Sequence, residues 1–84
     1  MVDEGIIYSA VGDYASSYGG EIAIHIEDLN ERRLTVRFEG RMCKTCGVSG
    51  YFEGLAYMLK ISGIDARIAG YRQEGGGYVV EYLL

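Results

Sequence analysis

The sequence predicts a small α+β domain in which a four-stranded antiparallel sheet carries two helices on one face. Apolar residues recur with a helical period over residues 3–18 and again over 45–62. They alternate with polar residues over 21–39 and from residue 64 to the carboxyl end, with turn-forming residues between the stretches. A chain of 84 residues has room for one core, so a single domain over residues 1–84 is expected.

The first helix rests on Ile7, Ala10, Val11, Tyr14, Ala15 and Tyr18, spaced to form one stripe. Asp3 and Glu4 suit the positive end of its dipole, and Gly19-Gly20 supplies a left-handed stop. Two strands follow. Ile22, Ile24 and Ile26, then Leu34, Val36 and Phe38, alternate with polar partners, so a hairpin should set these six on one face and His25, Glu27, Arg37 and Glu39 on the other.

The second helix is expected over residues 45–62, with Thr45 as amino-terminal cap and Gly63 as stop. Its stripe is Val48, Phe52, Leu55, Leu59 and Ser62, flanked by Tyr51, Met58 and Ile61. A second hairpin should use residues 64–69, the turn Gly75-Gly76-Gly77 and residues 78–84. The predicted order is helix, strand, strand, helix, strand, strand, and packing both helices on one sheet face closes one core.

Composition narrows the function. Eight Lys and Arg against twelve Asp and Glu give a net charge of −4, the wrong sign for neutralising phosphates, so nucleic acid and anionic membrane are not expected partners. No apolar run approaches the roughly 18 residues that span a bilayer, and Asp3 and Glu4 are out of place in a signal peptide, so a cytoplasmic protein is expected. No Ser-His-Asp set suggests itself around the single histidine. The glycine triplet lacks the Lys-Ser/Thr ending of a phosphate loop, and residues 27–31 lack the pattern of a calcium loop. The expectation is a protein that is not an enzyme.

Three features remain. Cys43 and Cys46 form a Cys-x-x-Cys at the predicted start of the second helix, where the dipole favours thiolate. Two thiolates are half a tetrahedral zinc site, so a metal or cluster would be shared across a dimer; a redox pair and free thiols are the alternatives. His25, in the polar register of its strand, reads as a solvated residue rather than a third ligand. Gly47, Gly50 and Gly54 lie along one face of the second helix, and each glycine costs about 1 kcal/mol relative to alanine. That bare face either admits a close neighbour or leaves a concave apolar space for a small ligand. Finally, Tyr51, Tyr57, Tyr71, Tyr78 and Tyr82, five of eight tyrosines, crowd the second half, where they can pack a core or line a binding surface.

Two families share parts of this pattern. The helix ending in Gly-Gly, the hairpin over residues 21–39, a cysteine ahead of Gly50-Tyr51-x-x-Gly54-Leu55 and the glycine-turned closing hairpin resemble the 4-vinyl reductase type of ligand-binding domain over residues 20–84. That resemblance implies a hydrophobic or aromatic small molecule held between helix and sheet, commonly in a dimer. Tyr18-Gly19-Gly20-Glu21, the alternating strands and Gly40-x-x-Cys43-x-x-Cys46-x-x-Ser49 are similar to the carboxy-terminal scaffold domain of NifU-like proteins over about residues 10–60. That similarity implies an iron–sulfur cluster bound by Cys43 and Cys46 of two chains.

The expected function is therefore a non-enzymatic binding or sensory module for a small hydrophobic molecule, with a site lined by Gly50, Tyr51, Phe52, Gly54, Leu55 and Phe38. The alternative is an iron–sulfur or zinc carrier using Cys43 and Cys46 across a dimer, and a third possibility is an interaction domain without a ligand. A homodimer is expected, because a core this small gains from a partner.

Overall fold

The computed structural model describes residues 4–17, 22–40 and 48–84. Helix α1 spans Glu4–Ser16, strands β1 and β2 span Ile22–Leu29 and Arg33–Gly40, helix α2 spans Val48–Ile61, and strands β3 and β4 span Arg67–Glu74 and Gly77–Leu83. The fold is α+β, with an antiparallel sheet in the order β1-β2-β4-β3. The β1–β2 turn is held by Asn30, whose Oδ1 accepts the amides of Arg32 and Arg33, both at 2.9 Å.

The helical face of the sheet is the core. Leu34, Val36 and Phe38 of β2 and Val80 and Tyr82 of β4 are buried there against Ile7, Ala10, Val11 and Tyr14 of α1 and Phe52, Leu55 and Leu59 of α2. Burying a side chain of Leu or Phe size contributes roughly 1.5–3 kcal/mol, so this face carries most of the driving force for folding. Helix α2 stops where the sequence places its stop. Gly63 has φ 95°, its amide donates to the Lys60 carbonyl at 3.0 Å, and the Ile64 amide reaches back to the Leu59 carbonyl at 2.8 Å. That pair of bonds is a Schellman cap.

The second hairpin departs from expectation. Its first strand begins at Arg67 rather than at residue 64 and runs on to Glu74. The strand runs past residue 69 through a register shift between Ile68 and Gly70, a β-bulge that lets Ile68 and Tyr71 face the helices together although three positions separate them. Strict alternation therefore fails at Ala69. A second bulge lies between Ile26 and Asp28 of β1. The edge strands β1 and β3 thus both carry a bulge, which interrupts the ladder an intruding strand would need.

The opposite face is polar but orderly. Val79, only 1% exposed, sits in register between Arg37 and Arg72, whose aliphatic stems stand beside it. Arg37 pairs with Glu39 at 3.3 Å and Glu74 at 3.7 Å, Arg72 pairs with Glu74 at 3.0 Å, and His25 lies 3.6 Å from Glu39. Gly77 is the gap that brings Glu39 and Glu74 to the same row. A Cβ there would collide with the Phe38 carbonyl and lie 2.9 Å from Glu39 Cγ. Among the described residues no helix is long and apolar enough to cross a membrane.

Candidate functional site

Helix α2 carries most of the residues singled out by the sequence, and its flanks differ. Phe52 and Leu55 point to the sheet and are fully buried with Phe38 in the core. Gly54 lies one residue from Leu55, hence on a different side of the helix, and faces α1. The Tyr14 phenol occupies the place a Gly54 side chain would take: a Cβ there would overlap the Tyr14 hydroxyl and lie 3.0 Å from Cζ. Tyr14 then donates its hydroxyl hydrogen to the Tyr51 carbonyl at 2.8 Å. Of the two uses open to the bare helix face, Gly54 serves the close neighbour, and the concave space predicted beside it is filled by α1.

The other expected residues spread out. Gly50 is exposed with open space beside it, and Tyr51 is half-buried against the core. His25 is solvated on the polar sheet face, on the opposite side from α2. Cys43, Cys46 and Gly47 lie outside the described residues, in the segment joining β2 to α2. Among the described residues no group of three or more His, Cys, Asp or Glu is placed to hold a metal ion.

What the structure brings together, and the sequence did not, is an aromatic quartet on the β3 flank of α2. The Phe52 ring lies 5.1 Å from Phe38, 4.9 Å from Tyr71 and 5.6 Å from Tyr78, and the two tyrosine rings are 6.3 Å apart. These tilted and edge-on contacts suit the ring quadrupoles and contribute about 0.5–1.5 kcal/mol per pair beyond simple burial. The quartet grades from core to solvent: Phe38 and Phe52 are fully buried, Tyr78 is half-buried and Tyr71 is 52% exposed. The tyrosine excess was the available signal. Pairing Tyr71 with Phe52 needed the bulge, which alternation alone does not reveal.

A second tyrosine pins α2 from below. Tyr82 of β4 donates to the Phe52 carbonyl at 2.8 Å, next in sequence to the carbonyl taken by Tyr14. Burial, and secondarily the nearby Tyr14, holds the Tyr82 phenol well above its ordinary pKa, so it stays a neutral donor. The first turns of α2 are thus latched from two sides, while the β3 flank is closed by the rings of Tyr71 and Tyr78 against Phe52, with Ile68 also packed on the core. No family model, no curated protein and no solved structure matches the chain.

Proposed function

We propose that the chain is a non-enzymatic binding or sensory module that takes up a small hydrophobic, ring-bearing molecule where α2 meets edge strand β3. The observation that carries this is the position of Tyr71, a half-exposed ring on an edge strand lying directly against the buried Phe52. An exposed side chain changes rotamer in nanoseconds or less, and a Tyr71 swing would bare the faces of Phe52 and Tyr78. A flat apolar ligand would stack there in its place, with the Tyr78 hydroxyl available to orient a polar substituent. Gly50, Tyr51, Gly54, Leu55 and Phe38 shape α2 and the core behind this rim and are supports rather than contacts.

The test is thermal unfolding with an uncharged probe such as 1-naphthol, on wild type and on Tyr71→Ser. A ligand that binds only the folded state stabilises it by mass action, so the wild-type Tm should rise with probe concentration. In Tyr71→Ser, measured against its own probe-free Tm, the rise should be lost. An equal rise in both proteins, or none in either, would overturn the proposal. Metal analysis of protein purified without oxygen separates this function from a carrier: stoichiometric iron or zinc that disappears in Cys43→Ser would favour the cysteines instead.

A further inference from the structure

A groove of about 340 Å³ runs along α1, lined by Gly5, Ile6, Ser9, Ala10 and Asp13 and closed at one end by Ser62 just past α2. Its walls are mostly small, apolar at Ile6 and Ala10 and polar at Ser9, Ser62 and Asp13. Beside it α2 raises two apolar side chains into solvent, Tyr57 at 66% exposure and Ile61 at 63%, four residues apart and so on one side of the helix. Ile6, at 38% exposure, continues the apolar surface onto α1. Neighbouring exposed apolar residues rimmed by polar ones mark interaction surfaces.

Charge identifies the occupant. Lys60, three residues from Tyr57 and so its neighbour on the helix surface, is the only basic residue in α1 and α2 together. Among the described residues neither Lys60 nor Asp13 has an ion-pair partner. One face therefore holds a projecting apolar pair beside an unpaired cation and a small-walled groove beside an unpaired anion. A surface that contains both halves of a match is what a two-fold, isologous contact requires.

We propose that the outer face of the helical layer is a homodimer interface. Ile61 and Tyr57 of each copy enter the α1 groove of the other, and Lys60 meets Asp13 of the partner subunit, twice about the two-fold axis. This stands apart from the ligand proposal, since Tyr71 and Phe52 lie on the β3 flank of α2.

Sedimentation equilibrium of the full chain over a range of concentrations tests it, with circular dichroism as a check on folding. Wild type should sediment as a monomer–dimer system. Ile61→Asp, a surface change that leaves the fold intact, should raise the dimer dissociation constant about 100-fold, as expected for loss of a central apolar anchor. Lys60→Glu should raise it about tenfold by setting two carboxylates together, and adding Asp13→Lys should restore it to within about threefold of wild type. Wild type monomeric throughout, which is also the result if another protein or a small molecule occupies the groove, would overturn the proposal. So would a dimer indifferent to Ile61→Asp, or a charge exchange that fails to recover.

Discussion

The two flanks of α2 meet their neighbours by opposite means. On the α1 flank the helix gives up a side chain at Gly54, and Tyr14 fills the space and closes it with a hydrogen bond to Tyr51. On the β3 flank the helix presents a large ring, Phe52, which is covered by Tyr71, itself half in solvent. The first contact is a close fit with a polar lock; the second is a stack in which, among the described residues, no hydrogen bond holds the Tyr71 ring. A bare helix face is thus no guide to a vacant site. A ring cluster that shades from core to solvent is where the proposed function puts an apolar guest.

The sharpest way to break this contrast is to put a side chain where Tyr14 sits. Gly54→Leu should destabilise the fold by about 3 kcal/mol in urea unfolding, since over-packing a filled contact forces a helix or a ring to move. Gly54→Ala should also destabilise, but in a Tyr14→Ala background the same change should become stabilising by up to about 1 kcal/mol, the ordinary helical preference for alanine. A Gly54→Ala effect of the same sign in both backgrounds would show that Tyr14 is not what requires the glycine.

Tyr82→Phe comes next, at about 1 kcal/mol, because the Phe52 carbonyl keeps its helical partner and only one buried hydrogen bond is lost. Its pH dependence is more telling. The folded state holds the Tyr82 phenol above the ordinary value of 10.0, so it retains a proton that the unfolded chain releases. That contribution is fully present below about pH 10 and falls by about 1.4 kcal/mol per unit above it. The advantage of wild type over Tyr82→Phe should therefore shrink as the pH rises beyond 10; a gap that stays constant up to pH 11 would contradict a buried, neutral phenol. Tyr71→Ser should also cost about 1 kcal/mol in urea, the low end for two ring pairs, because Tyr71 is half-exposed. Ile61→Asp, measured at concentrations where the chain is monomeric, should change stability least, by no more than about 0.5 kcal/mol.

Much of the fold was legible because its apolar periods are clean. Ile7, Ala10, Val11 and Tyr14 fall on the buried side of α1, and Leu34, Val36 and Phe38 on the buried side of β2, as their spacing requires. The Gly63 stop was equally readable, since a left-handed residue after a helical stripe has few other uses. The extent of β3 was not, because the bulge at Ala69 resets the alternation between Ile68 and Tyr71. The same irregularity hid the candidate site. Phe38, Phe52 and Leu55 read as apolar residues facing inward, and all three are buried, but spacing within one helix cannot say whether a neighbour fills the space beside Gly54. Tyr14, which does fill it, lies 37 residues from its hydrogen-bond partner Tyr51, and that pairing belongs to tertiary packing.

The proposed binding site is tested most directly by where a hydrophobic probe lands. Two-dimensional NMR of the labelled chain titrated with 1-naphthol should move the backbone and ring resonances of Phe52, Tyr71 and Tyr78, and leave those of Tyr14 and Gly54 in place. Shifts concentrated on Tyr14, Gly50 and Gly54, with the β3 flank silent, would place the guest on the side of α2 that Tyr14 closes, and would contradict it.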